Sequence, residues 1–196
     1  DPNRHMEHRM STLELKELSH PAGEVIKIAS GKTLDLKTQG SVTMPTGSVL
    51  QVVNFQTGAV ATGTTIIPHD DSIPQITEGT EFMTLAITPK NTSNLLKIDV
   101  VMYGTMNGAN YLMSALFQDT TASALAAINV SLAQAVNWTN SLSYTHYMTA
   151  GTTNATTFKV RGGPNAAAAF SFNGQSGGRI YGGVAASSIT ITEIQG

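Results

Sequence analysis

From Glu24 to the C terminus the chain repeats one pattern: short runs of alternating apolar and polar residues, closed roughly every eight to fourteen residues by Gly, Pro or Asn. A period of two sends successive side chains to opposite faces of an extended strand. Turn residues at this spacing leave no room for helical crossovers, so a parallel α/β sheet is excluded. The chain reads as all-β, an antiparallel β-sandwich or jelly roll. Strands are expected near residues 49–55, 59–67, 81–88, 95–103, 109–118, 125–133, 141–149, 156–161, 167–172, 178–182 and 187–194. Alternation is cleanest in Lys97-Ile98-Asp99-Val100-Val101-Met102, Leu142-Ser143-Tyr144-Thr145-His146 and Ile189-Thr190-Ile191-Thr192. The Ala-rich stretch 122–135 contains good helix formers, but Asn129, Val130 and Ser131 interrupt it, and a strand is expected there. Asn107-Gly108 and Asn173-Gly174 carry the strongest two-residue hairpin signals, so a hairpin is expected at each.

The N-terminal quarter is patterned differently. Residues 1–10 open on Asp and contain the His5-Met6 pair; they read as a cloning scar. Residues 11–23 read as a linker or short helix, with Ser11-Thr12-Leu13-Glu14 in capping-box form and Pro21 as the stop. Residues 24–48 break into Val25-Ile26-Lys27-Ile28, Leu34-Asp35-Leu36 and Val42-Thr43-Met44, separated by Gly31 and Gly40 and closed by Pro45-Thr46-Gly47. Each piece is too short to enclose a core. Such pieces suit a short intertwined trimeric β shaft, in which three chains supply one another's missing apolar surface. An ordinary meander at the start of the sandwich is the other reading. Residues 49–196 then form the β-sandwich head.

Composition narrows the function. The chain of 196 residues has no cysteine, which removes disulfides, Cys-based zinc sites and thiol nucleophiles. A net charge of −2 argues against a nucleic-acid partner. No run approaches the ~18 apolar residues of a membrane-spanning helix, so membrane insertion is not expected. Only 12% of residues are charged, about half the usual share, and half of these charges lie before residue 38. With 41% of residues hydrophobic the remainder is not a disordered chain; it is a folded body with a surface of Thr, Ser and Asn.

Eight segments stand out along the chain. They are Lys32-Thr33-Leu34-Asp35-Leu36, Met44-Pro45-Thr46-Gly47-Ser48-Val49-Leu50-Gln51-Val52, Ile73-Pro74-Gln75-Ile76-Thr77-Glu78-Gly79-Thr80-Glu81-Phe82 and Ile87-Thr88-Pro89-Lys90. Further on they include Ala150-Gly151-Thr152-Thr153, Thr157-Phe158-Lys159-Val160-Arg161, Phe172-Asn173-Gly174 and Ser187-Ser188-Ile189-Thr190-Ile191-Thr192-Glu193-Ile194. These are turn and strand signatures with no catalytic motif among them. Together the segments resemble the C-terminal, receptor-binding tip region of phage tail fibres, and the resemblance implies a homotrimeric virion component, joined to other tail-fibre segments, that attaches to a host-cell surface glycan or protein. Three linked sites would multiply individually weak contacts.

Candidate chemistry is sparse. His69-Asp70-Asp71, with Glu78 and Glu81 nearby, is the local cluster of acids and imidazole, but it lacks the Asp-x-Asp-x-Asp-Gly spacing of a calcium loop, and a polar turn is expected. Sugar hydrolysis needs paired carboxylates on facing strands and ester hydrolysis a Ser/His/Asp set; Asp99, Asp119 and Glu193 stand isolated, and no Gly-x-Ser-x-Gly occurs. His146 alternates with Tyr144 and Met148 and reads as an interior or interface histidine. No enzyme, metal or cofactor is therefore expected. Sugar binding asks instead for an aromatic face beside amides and hydroxyls. Asn137-Trp138-Thr139-Asn140 holds the single tryptophan between two amides, with Tyr144 and Tyr147 following, and these five (Asn137, Trp138, Asn140, Tyr144 and Tyr147) are the candidate ligand-binding residues. The competing role for these aromatics is packing in the core or between subunits. Lys159 and Arg161 share a strand face with Thr157 and are expected at a subunit contact, with contact to acidic glycans as the alternative. The expected function is noncovalent, multivalent attachment; the alternatives are a tailspike-like polysaccharide hydrolase and a purely structural fibre trimerisation cap.

Overall fold

The computed structural model describes residues 30–32, 44–131 and 137–196. The cloning scar expected over 1–10, the linker or short helix over 11–23 and the shaft strands expected within 24–48 lie outside the described residues. Two of the shaft's expected turns fall inside them, at Gly31, with φ 73°, and at Gly47, with φ 86°. Met44–Gly196 form one compact unit.

That unit is all-β. Its strands are β1 (Val49–Thr57), β2 (Ala61–Gly63), β3 (Thr80–Ile87), β4 (Leu95–Met106), β5 (Tyr111–Gln118) and β6 (Ala126–Ser131). They continue with β7 (Thr139–Thr149), β8 (Thr156–Pro164), β9 (Phe170–Phe172), β10 (Gly174–Gln175), β11 (Gly178–Arg179) and β12 (Ser187–Ile194). A tight turn of left-handed residues covers Tyr181–Gly183. All pairings are antiparallel. One sheet runs β1-β12-β4-β7, with β9 filling the side of β4 beyond the end of β12 and β2 pairing β9. The second runs β3-β8-β5-β6. The sheets face each other, with β1 and β12 against β3, and β7 against β6.

Alternation becomes burial. Leu96, Ile98, Val100 and Met102 of β4 are all fully buried, as are Ile189 and Ile191 of β12 and Phe158 and Val160 of β8. Their outward neighbours, Lys97, Asp99 and Thr190 among them, stay partly exposed. Phe82, Phe170 and Phe172 cluster at one end of the core, with ring centroids 4.7 to 6.4 Å apart. Gly104 lets β9 approach β4: a Cβ there would strike the Ser171 carbonyl and lie 2.6 Å from the Phe170 ring. One inward position of β12 is a carboxylic acid. Glu193 continues the Ile189, Ile191 face and has 0% exposure.

The unbroken apolar run of β5 has a separate cause. Leu112 and Leu116 face the main core, while Met113, Ala115 and Phe117 face outward beneath a long loop. Ile67 and Ile76 of that loop cover them, fixed by Ile67 N donating to Pro164 O and Ile76 N to Ala122 O. A strand covered on both faces loses its alternation. The strand expected over 59–67 accordingly shrinks to β2, because residues 64–67 leave the sheet to cross β5.

Neither Asn-Gly signal makes a hairpin. β4 and β5 belong to different sheets, so Asn107-Gly108 lies in a crossover, tied by Asn107 N to Ala169 O (3.0 Å) and by Ala169 N to Asn107 Oδ1 (2.7 Å). Asn173 has the left-handed φ of 52° but is buried. Its amide nitrogen donates to Thr57 O at 2.7 Å and its oxygen accepts from Ser187 Oγ at 2.7 Å, bolting β9 to the ends of β1 and β12. The tight hairpin is one turn later, joining β10 to β11 through Ser176 (φ 49°) and Gly177 (φ 75°). Two successive left-handed residues are what a type I′ turn requires.

Candidate functional site

The β10–β11 hairpin and the segment leading into β7 stand together at one end of the first sheet. Asn137 holds a left-handed φ of 66°, a conformation Asn tolerates better than most residues. Three bonds fix it: Asn137 N donates to Met106 O (2.8 Å), Gln175 Nε2 donates to Asn137 O (2.6 Å), and Ser176 Oγ bonds Asn137 Oδ1 (3.1 Å). The hairpin is thereby latched to the start of β7. Beyond it the chain turns through Tyr181, whose φ of 49° is unfavourable for a bulky side chain, followed by Gly182 and Gly183, also left-handed.

This arrangement encloses an open cavity of about 560 Å³ lined by Asn137, Trp138, Thr139, Gln175, Ile180 and Tyr181. Trp138 is 65% exposed and Tyr181 70% exposed. In the described chain the tryptophan is therefore no core residue. Trp and Tyr rings combine a large apolar face with a polar atom, and two of them left in solvent beside amides can stack on one face of a ligand and hydrogen-bond its rim. A second cavity of about 340 Å³ adjoins, lined by Thr62, Asn107, Ala169, Ser171, Ser176, Gly177 and again Asn137.

Of the five residues singled out in the sequence, Asn137 and Trp138 line the first cavity together. Asn140 lies in β7 opposite Gly104 and does not line it; its side-chain oxygen accepts the Ser141 amide at 2.8 Å. Tyr144 points between the sheets, its hydroxyl 3.1 Å from Ser114 Oγ, and burial pushes the phenol above its usual range. Tyr147 faces outward beside its cross-strand partner Lys97 and is 54% exposed. At ~3.3 Å per residue it stands about 30 Å along the strand from Trp138. Residues close in sequence on an extended strand diverge in space and alternate in face, so the five do not form one site. Tyr181, Gln175 and Ile180 replace the three that leave. Their sequence signal was faint: an aromatic set among glycines in Gly177-Gly178-Arg179-Ile180-Tyr181-Gly182-Gly183, where a strand over 178–182 was expected.

The other ionisable candidates have structural partners. Asp70 caps its own turn, accepting from the Ser72 hydroxyl and amide, and these bonds hold its carboxyl below the usual value. His69 stacks on Tyr111 at 4.5 Å. Glu78 accepts the Gln75 amide, and Glu81 pairs with Arg161. Among the described residues no three His, Asp or Glu side chains gather to hold a metal. Arg161, expected at a subunit contact, is engaged within its own chain, donating to Glu78 O and Gly79 O at 2.8 Å each. Burial of the Asp99 carboxyl is outweighed by bonds from Lys97 and Thr145, which leave it below its ordinary value. His146, opposite Ile98 on the inward face, is shifted down by burial.

No family model matches the sequence, and no curated protein does. The solved structures that resemble the chain at low identity include the following three. The EclA C-terminal domain, a sugar-binding protein, aligns at 13% identity and TM-score 0.35 over 82% of this chain and 89% of that one. The disulfide-linked pili of Bacillus endospore appendages align at 13% identity and TM-score 0.30 over 81% of this chain and 100% of that one. The VP2 subviral particle of infectious bursal disease virus aligns at 8% identity and TM-score 0.37 over 84% of this chain and 42% of that one. At such TM-scores the likenesses assign no ligand to this chain.

Proposed function

We propose that this chain is the receptor-binding tip of a phage tail fibre, a homotrimer in the virion that attaches to a host-cell surface glycan by noncovalent, multivalent contacts and without catalysis. The observation that carries the reading is the pairing of exposed Trp138 and Tyr181 around a cavity otherwise lined by amides, a hydroxyl and Ile180. Two large aromatic rings exposed beside amides, on backbone fixed by hydrogen bonds, offer a surface that a ligand can cover. Sugars offer the complementary surface, an apolar C–H face ringed by hydroxyls. The tail-fibre setting rests on the sequence resemblance of residues 32–194, and trimerisation on the short strands of residues 24–48.

The finer architecture proposed for the head is a jelly roll. The order β1-β12-β4-β7 facing β3-β8-β5-β6 supports it, because each sheet interleaves early and late strands as two nested Greek keys do.

The test is a glycan array probed with the intact protein, wild type and Trp138→Ala. Loss of one aromatic anchor is expected to weaken binding by roughly 10- to 100-fold, about 1.4–2.8 kcal/mol, with circular dichroism and sedimentation unchanged. Unchanged affinity in the variant would refute the site. Release of reducing ends from capsular polysaccharide would refute the non-catalytic reading, and a stable monomer of 20.6 kDa at micromolar concentration would refute the trimer.

A further inference from the structure

The two cavities are halves of one surface. Asn137 lines both, and the β10–β11 hairpin walls both, presenting Gln175 to the first and Ser176 with Gly177 to the second. Each cavity, at about 560 and 340 Å³, is within the range of small-ligand sites. Their chemistry differs. The first offers the aromatic rings; the second offers side-chain hydroxyls and an amide, from Thr62, Ser171, Ser176 and Asn107. Among the described residues, neither has a charged side chain in its lining. The hairpin's one cation, Arg179, lines neither cavity; its aliphatic chain lies close to Gly183.

We infer that the site takes an extended, uncharged oligosaccharide, one sugar against Trp138 and Tyr181 and the next beyond Asn137, among Thr62, Asn107 and Ser176. This rests on the glycan-binding reading above and adds its ligand class. A carboxylate or sulfate moved from water into these cavities would meet no cation among the described lining residues, and an unpaired desolvated charge is costly. Neutral hydroxyls meet donors and acceptors of their own kind. The ridge between the two halves is rigid: its three bonds hold Asn137, and Gly177 N donates to Ser171 Oγ at 2.8 Å behind the hairpin. Contacts on such a preformed surface lose little to ordering on binding.

The experiment uses the intact protein on a panel of neutral, sialylated and uronate-containing glycans, each as mono-, di- and tetrasaccharide. Neutral tetrasaccharides are expected to bind at least about tenfold more tightly than the matching monosaccharide. Thr62→Tyr fills the second cavity from an exposed strand position and is expected to abolish that gain in affinity with length. Ala169→Leu fills it from the loop before β9 and tests the same point without altering β2. Trp138→Ala is expected to weaken every length. Equal affinity for all lengths, a length gain that survives both cavity-filling variants, or preference for acidic glycans overturns the inference. Binding of no glycan at all refutes the glycan-site reading itself, which separates the two failures.

Discussion

Glu193 supplies a sharp test of how this fold is held together. Its carboxylate is fully buried on the inward face of β12. It accepts hydrogen bonds from Asn94 Nδ2 (2.6 Å), from Lys90 N (2.7 Å), from Gln51 Nε2 and from the Asn91 amide. The ion pairs among the described residues, Lys97–Asp99 and Arg161–Glu81, do not include it, so neutral donors alone hold this charge. Burial by itself would raise the carboxyl, but the four donors outweigh it and hold it below the ordinary value of 4.5. Removing the acceptor in Glu193→Ala strands donors from β1, from the turn after β3 and from the start of β4. Bonds to a charged group contribute ~1.5–3 kcal/mol each, and buried unpaired donors cost ~1–3 kcal/mol. With water entering to satisfy some of them, a net loss of about 3–5 kcal/mol is expected. Glu193→Gln keeps the shape and one acceptor oxygen but opposes its NH2 to the donors, and should cost about 1–2 kcal/mol.

The pH dependence has a definite sign. A carboxyl whose folded pKa lies below its unfolded value contributes stability that is complete above the unfolded value near 4.5 and is lost as pH falls through the folded value. The wild-type advantage over Glu193→Gln should therefore be largest at neutral pH and shrink below about 4.5. Urea unfolding followed by far-UV circular dichroism, at one fixed protomer concentration and a series of pH values, measures it. Parallel pH profiles for wild type and Glu193→Gln, or a loss under 1 kcal/mol in Glu193→Ala, would refute this account of the site.

Other perturbations separate neighbouring roles. Asn173→Ala removes the buried amide that joins β9 to β1 and β12 and should cost about 2–4 kcal/mol in urea unfolding. Tyr144→Phe leaves Ser114 without its partner and should cost about 1 kcal/mol, with receptor binding untouched because the ring lies inside; Tyr147→Ala should change neither stability nor binding measurably. Arg161→Ala frees the Glu78 and Gly79 carbonyls and should lower stability by about 2 kcal/mol without altering sedimentation, the opposite of what a subunit-contact arginine would do.

The strands themselves were legible because alternation is a local property. Leu95–Met106, Thr139–Thr149 and Ser187–Ile194 stand where the period of two placed them, and the Ala-rich stretch holds a strand at Ala126–Ser131. Alternation also put Asp99 on the outside, where it bonds Lys97 and Thr145. What failed was each inference that converted nearness in sequence into nearness in space. Asn107-Gly108 has the chemistry of a hairpin, yet β4 already has partners on both sides, so the chain crosses to the other sheet. Tyr144 and Tyr147 follow Trp138 closely, yet an extended strand carries one inside and the other far along its outer face.

By itself the sequence determined the all-β class, most strand positions, the low charge and the single tryptophan's setting between two amides. These depend on periodicity and composition, which act over a few residues. Tertiary structure decided which strands pair, that an isolated glutamate at position 193 is a buried keystone, and that Tyr181 joins Trp138 across more than forty residues of chain. Such partnerships follow from long-range antiparallel pairing, whose register is set by the packed core as a whole and by no segment alone.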